Sequence, residues 1–185
     1  MGARLSFTML VGIVVFGCVS AWTPVSGLYD MGAENFAVTL PEGWRRYNQV
    51  ANKVIITRQG LRLQRIAIFR TPIDKKLPFT HKMILPDMLP QEVAEVVIDN
   101  LKSNPNISNG VVLENDPVLI SGLAGFKFVY AFRTKDGLDK KGVFYGLLQG
   151  DQLYKLVYEA PQRYYFDRDL QTFETTVASF RLIKT

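Results

Sequence analysis

The stretch GFKFVYAFRTKDGLDKKGVFYGLLQGDQLYKLVY, Gly125–Tyr158, decides how this chain folds. Apolar residues alternate along it and two turn-forming segments interrupt it, the pattern of three consecutive antiparallel strands. Successive side chains of a strand point to opposite faces, so Phe126, Phe128, Tyr130 and Phe132 share one face, and that face must be buried. The middle strand, Val143–Gln149, is apolar on both sides, with Val143, Tyr145 and Leu147 opposite Phe144 and Leu148. A strand buried twice lies mid-sheet with something covering each face. The third strand sets Leu153, Lys155 and Val157 against Tyr154, Leu156 and Tyr158, after a Gly150-Asp151 turn whose glycine tolerates positive φ. The charged connection Thr134–Gly142 is expected to project into water.

Working outward, PQEVAEVVIDNLK (Pro90–Lys102) reads as a helix. Proline suits its first turn, Glu92 and Glu95 suit the positive end of its dipole, and Ala94, Val97, Ile98 and Leu101 form one apolar stripe. Val111–Glu114 and Pro117–Ile120 are expected as a further short strand or pair of strands. Upstream, Phe36, Val38 and Leu40 alternate until Pro41-Glu42-Gly43, which reads as a turn. Lys53–Thr57 and Leu61–Thr71 form a hairpin around Gln59-Gly60. Downstream of the meander, Asp167 is expected to cap a second helix over Arg168–Ala178, with Leu170, Phe173 and Val177 inward, before a closing strand at Phe180–Ile183. The order predicts an α+β fold, an antiparallel β-sheet with an amphipathic helix packed on each face, in effect an α/β/α sandwich.

The 185-residue chain has room for one domain, and its 48% apolar content and twelve phenylalanines are ample for a core. A formal charge of +5, or +4 without Arg4, and a pI near 9.3 suit contact with anionic lipid or polymer. Arg58, Arg62, Arg65 and Arg70 read as a solvated strand face. No dense basic run or aromatic-basic interleaving points to nucleic acid.

Residues 1–21, MGARLSFTMLVGIVVFGCVSA, carry one cation and then an apolar run from Leu5 to Phe16, the shape of a secretory signal. The run ends in Val15-Phe16-Gly17-Cys18, which resembles the bacterial lipobox, with Phe16 its bulkier departure. That resemblance implies Cys18 as a lipid attachment site and as the first residue after cleavage. Cys18 is the sole cysteine, so no intrachain disulfide is available to it. Ordinary cleavage after Ala21, where Val19-Ser20-Ala21 offers small residues, and retention of the apolar segment as an anchor are the alternatives. Met1-Gly2 with Ser6 also fits an N-myristoylation pattern. Residues 22–34, with Pro24, Gly27 and Gly32, read as a tether leading to a single domain over 35–185.

Two pieces of that domain carry a family likeness. Phe36-Ala37-Val38-Thr39-Leu40-Pro41-Glu42-Gly43-Trp44 resembles the opening of the PsbP, Mog1 and DcrB group of folds. Gly150-Asp151-Gln152-Leu153-Tyr154, Ala160, the aromatics Tyr164 to Phe166, Phe173, Val177 and Ser179-Phe180 are similar to that group's closing strand, helix and terminal strand. The resemblance implies fold, and for bacterial members an envelope protein of unassigned role. It carries no active-site residue across.

Function is therefore expected to be non-enzymatic: an exported, membrane-tethered envelope lipoprotein with no cofactor or metal, contacting the membrane through its N-terminal lipid or apolar segment and binding a protein or polymer partner other than nucleic acid. A small-molecule carrier or sensor with a cleft between sheet and helix is the alternative. A carboxylate-based hydrolase would need Glu114, Asp116, Asp136 and Asp139 to meet in space. The only histidine, His81, lies between Thr80 and Lys82 in the long Pro72–Leu89 connection, without the companions that metal binding or catalysis requires. Tyr158, Tyr164 and Tyr165 read as filling a strand–helix junction rather than as a stacking platform.

Overall fold

A computed structural model describes residues 20–183, so residues 1–19 of the signal segment, Cys18 among them, lie outside the described residues. The elements are β1 (Trp22–Met31), a 3-10 turn (Gly32–Glu34), β2 (Phe36–Tyr47), β3 (Lys53–Thr57), β4 (Arg65–Pro72), α1 (Pro90–Lys102), β5 (Ile107–Ile120), β6 (Leu123–Thr134), β7 (Asp139–Gln149), β8 (Gln152–Pro161), α2 (Tyr165–Ala178) and β9 (Arg181–Leu182). The strands form one sheet in the order β1-β2-β3-β4-β8-β7-β6-β5, with β9 added beside β2. All strand pairs are antiparallel. Two meanders, β1 to β4 and β5 to β8, are thus joined along β4 and β8.

Each face of this sheet carries one helix, the α+β arrangement expected. α1 sets Val93, Ala94 and Val97 on Phe126, Phe128, Tyr130, Phe132 and Phe144. On the other face α2 sets Phe166, Phe173 and Val177 on Tyr145, Leu147, Leu156 and Tyr158, with Phe36 and Trp44 of β2 beside them. β7 contributes to both clusters, as its two apolar faces demand. Leu170 is only half-buried at the edge of the second cluster, whereas Phe173 is sealed in it.

Several expectations need correction. Residues 22–34 are no tether: Trp22–Met31 pairs with β2 from Trp22↔Tyr47 to Met31↔Phe36. Pro41-Glu42-Gly43 does not end β2, because pairing with β1 resumes at Val25↔Trp44 past a register shift. Gly43, at φ 77°, lets the strand bulge there, and Pro41 loses no ladder bond. β4 begins at Arg65, later than Leu61, because the Thr57 hydroxyl donates to the Gln64 carbonyl (2.7 Å) and accepts from Gly60 N–H (2.9 Å), closing a turn over 60–64. The two short strands around residues 111–120 are one strand, kept in line by two register shifts. α2 starts at Tyr165, and Asp167 lies in its first turn rather than at its cap. The chain enters that helix through a tight turn at Tyr164 (φ 67°, ψ −56°), where Tyr165 N–H donates to Arg163 O at 2.8 Å. Tyr158 anchors the turn: its hydroxyl donates to Tyr165 O at 2.7 Å and its ring stacks on Phe166.

Two glycines in β7 make the α1 face possible. Gly142 pairs with Tyr130 and Gly146 with Phe126, and each aromatic ring lies across the bare backbone opposite it. A Cβ on Gly146 would sit 2.1 Å from Phe126 Cζ, and one on Gly142 would sit 2.3 Å from Tyr130 Cζ. Between them Phe144 stacks on Phe128 (4.9 Å between centroids) and on Phe126 (5.9 Å), so the rings form a continuous ladder under α1. Gly146→Ala is expected to displace Phe126 and cost about 1–3 kcal/mol of stability. Thermal unfolding of the variant beside wild type measures this, and an unchanged Tm would mean that the ladder is not tightly packed.

Candidate functional site

Where the ladder reaches the C-terminal end of α1, four strands bring ionisable groups together. Gly142 leaves room for the Tyr130 ring, and Glu159 of β8 lies opposite Gly142 on one side and opposite Arg65 of β4 on the other. The buried Tyr130 hydroxyl donates to Glu159 Oε1 at 2.7 Å, and Arg65 Nη2 lies 2.6 Å from Glu159 Oε2. Both carboxylate oxygens are thereby engaged. Burial, then the Glu159 charge, pushes the Tyr130 phenol well above its ordinary range, and Glu159 raises the Arg65 guanidinium. Lys140 of β7 joins them on the same face, 7% exposed. It makes no ion pair or hydrogen bond among the described residues, and burial lowers its pKa. These groups line a pocket of about 250 Å³ with Leu101 and Asn104 at the end of α1 and Ile107 of β5.

The other enclosed carboxylates are committed to holding the fold. Asp169 of α2 is 1% exposed and accepts from Gln64 Nε2 (2.5 Å) and Arg168 Nη2 (2.5 Å), with Arg58 at 3.4 Å, which ties the turn before β4 to the helix. Glu174 accepts from the Tyr145 hydroxyl at 2.5 Å and Lys127 Nζ at 3.0 Å, and burial pushes Tyr145 up to about 12. A carboxylate whose oxygens are already occupied by donors from its own fold is poorly placed to take a proton from a substrate.

The four acids that a hydrolase would require are paired with arginines or exposed, Asp136 and Asp139 at the β6–β7 turn and Glu114 and Asp116 on β5. Asp139 is held by Arg133 through two contacts of 2.7 and 2.9 Å, Asp136 pairs with Arg62, and Glu114 and Asp116 lie exposed along β5. Among the described residues no three His, Cys, Asp or Glu side chains are grouped so as to hold a metal ion. His81 is exposed in a connection that is pinned down rather than loose: Ile73 and Ile84 are buried, and Phe79 N–H donates to Asn100 Oδ1 of α1 at 2.9 Å. Tyr164, of the tyrosine cluster, is the exposed member, and Arg168 lies over it and Tyr165 at 5.1 and 4.9 Å.

Three other surfaces stand out. A cleft of about 700 Å³ opens beside the β7–β8 turn, lined by Asn35, Arg70, Gln149, Tyr154 and Leu182, but its arginine is already paired with Glu34 at 2.9 Å. The outer edge of the sheet exposes Val111, Leu113 and Leu119 of β5 and Leu123 of β6, and the connection before α1 exposes Met83, Leu85 and Leu89. On the α1 face, Lys53 and Lys155 both lie over the ring of Phe69, at 4.9 and 5.3 Å, and neither forms an ion pair among the described residues. Sequence reasoning puts Lys140 in the charged connection Thr134–Gly142, expected to project into water, but β7 already begins at Asp139 and buries it. Lys155 reads as one residue of the third strand, and its one local signal is that its strand neighbours are apolar.

No family model and no curated protein sequence matches the chain. Solved structures do. The solution structure of cyanobacterial PsbP (CyanoP) from Synechocystis sp. PCC 6803 superposes with a TM-score of 0.59 at 12% identity, over 92% of this chain and 98% of that one. The fold is PsbP- and Mog1-like. The Saccharomyces cerevisiae Ran-binding protein Mog1p gives 0.54 at 12% identity over 88% of this chain and 97% of its own. LpqN, described as involved in cell envelope biogenesis of Mycobacterium tuberculosis, gives 0.55 at 15% identity over 88% and 91%. At such identities the PsbP-like likeness is one of fold.

Tyr130→Phe is expected to leave one Glu159 oxygen unsatisfied and to cost about 1.5–3 kcal/mol, read from the urea midpoint. A midpoint equal to wild type would mean that water replaces the hydroxyl. The second expectation concerns Lys155, whose pKa is lowered to about 8 by burial and by Lys53. Between about 8 and the usual lysine value the unfolded chain binds the extra proton, so stability rises with pH across that window. The penalty is fully present below pH 8. Lys155→Met is expected to remove that rise, on the order of 2 kcal/mol, from denaturation curves taken between pH 7 and pH 9.5. Parallel pH profiles for variant and wild type would show that the ammonium is well hydrated.

Proposed function

We propose that this chain is a non-catalytic binding module of the cell envelope, held at a membrane surface by lipid on Cys18. The observation that carries this reading is that Ser20 and Ala21 belong to the domain. Asn48 donates from its backbone N–H to Ala21 O at 2.9 Å, and from Nδ2 to Ser20 O at 3.0 Å and Thr23 Oγ1 at 2.7 Å. Cleavage after Ala21 would strip away two of these acceptors, whereas processing at Cys18 keeps them. Trp22, the first residue of β1, packs on Tyr47 with 5.0 Å between ring centroids. Residues 19–21 therefore span at most about 14 Å between Cys18 and the sheet. A domain on so short a lead lies against the bilayer with its β1 end, and aromatic pairs suit that interfacial zone. No helix among the described residues is long and apolar enough to cross a membrane.

The partner is a protein, taken at the opposite edge. β5 and the β5–β6 turn present Val111, Leu113, Leu119 and Leu123 to solvent, two apolar pairs separated by the exposed polar stretch Glu114–Asp116, and exposed apolar side chains of this kind suit a contact surface. Bulges and Pro117 blunt the backbone of β5, so the contact is made by side chains rather than by adding a strand. The envelope role described for LpqN is consistent with this reading. The engagement of Glu159, Asp169 and Glu174 by partners from the fold itself supports reading the module as non-catalytic.

Mass measurement of the mature protein tests the anchor. The expected species begins at Cys18 and carries acyl mass, and both globomycin and Cys18→Ala leave the full-length precursor. A mature N-terminus at Trp22 with no added lipid would overturn the proposal.

A further inference from the structure

Lys140 is 7% exposed and meets no acid within ion-pairing distance among the described residues. Burying an ammonium without a counter-charge is unfavourable, and nothing in the packing of β7 requires a lysine there, since a methionine would fill the same space. The groups that face Lys140 come from several elements: Glu159 of β8, Arg65 of β4, and Asp136 and Arg62 of two neighbouring turns. Their charges are already spoken for. Glu159 is held on both oxygens by Tyr130 and Arg65, and Asp136 is paired with Arg62. Of the charged groups that line an open pocket of about 250 Å³ here, two are cations, Lys140 and Arg65, and one is a carboxylate, Glu159, which leaves one positive charge in excess. Arg65, 48% exposed along its side chain, makes a single contact with Glu159 and keeps further N–H donors directed elsewhere. Asn104, Asn106 and Thr134 add neutral polar groups to the wall.

We infer that this pocket binds a small oxyanion headgroup of single negative charge, a carboxylate or a phosphodiester, held between Lys140 and Arg65. One unbalanced positive charge matches one negative charge. The partial negative charge at the C-terminal end of α1 disfavours a second. Volume and charge together select a compact group of a few heavy atoms, the head of a larger molecule that extends into solvent. The pocket is formed by α1 and strands β4 to β8, so its occupancy does not depend on how Cys18 is processed.

Thermal unfolding of the detergent-solubilised full chain, titrated separately with sodium acetate and sodium dimethyl phosphate against sodium chloride at equal ionic strength, tests the inference. A saturable rise in Tm with at least one anion is expected, and the tighter of the two identifies the headgroup as carboxylate or phosphodiester. Lys140→Met is expected to raise the Tm of the ligand-free protein, because a desolvated charge is gone, and to abolish the anion-dependent rise. Lys140→Arg keeps the rise, and Arg65→Gln weakens the apparent affinity roughly tenfold. No saturable rise with either anion, an undiminished rise in Lys140→Met, or a lower ligand-free Tm for that variant would each overturn the inference.

Discussion

The packing of aromatic rings of β6 across the bare glycines of β7 is the constraint on which the α1 half of the molecule depends. Phe126 and Tyr130 lie flat only because Gly146 and Gly142 offer no side chain. Lying flat, they leave a level aromatic surface with Phe128 and Phe144 on which α1 seats Val93, Ala94 and Val97. Sheet and helix then exclude water from everything between them, and large aromatic area buried this way dominates a core of this size. The same placement fixes the one polar excursion in that layer. Tyr130 is pressed over Gly142 with its hydroxyl aimed at Glu159, so the carboxylate, the arginine beyond it and the pocket follow from a missing Cβ.

The charge pattern of the interior divides in two. Asp169, Glu174 and Glu159 are each bound by cations or hydroxyls and tie distant segments together: the turn before β4 to α2, β6 and β7 to α2, β4 to β8. Such pairs add specificity of register more than net stability, because desolvation offsets most of the attraction. Lys140 and Lys155 are the reverse, buried cations without a matching acid among the described residues. Lys155 is partly compensated by lying over Phe69. Among the described residues no ring lies under Lys140, which sets it apart from Lys155.

The two edges of the sheet have different characters. β1 binds the start of the domain to the β2–β3 turn through Asn48 and brings the sheet directly up to the N-terminal segment. β5 is long, bulged and lined outward with exposed apolar residues. One edge is thus tied by polar contacts to the β2–β3 turn, and the other is left apolar and open to solvent. The pinned connection before α1, with Met83, Leu85 and Leu89 outward, extends the apolar character beyond β5.

Periodicity is a local property, and what depended on it was legible in the chain. The alternation in Phe126–Phe132 and the double-sided apolar run at Val143–Leu148 located the central strands and required a cover on each face. The stripes of Pro90–Lys102 and of Leu170, Phe173 and Val177 supplied those covers. Trp22–Met31 escaped because an edge strand with most of its side chains in solvent needs no alternation, and Pro24 and Gly27 mimic a linker. Helix α2 begins before Asp167 because Tyr158, on another strand, holds the carbonyls of its first turn. Tertiary structure alone assembled Arg65, Tyr130, Lys140 and Glu159. They stand on four strands far apart in the chain, and only the registers between those strands, summed across the sheet, decide that they face one pocket.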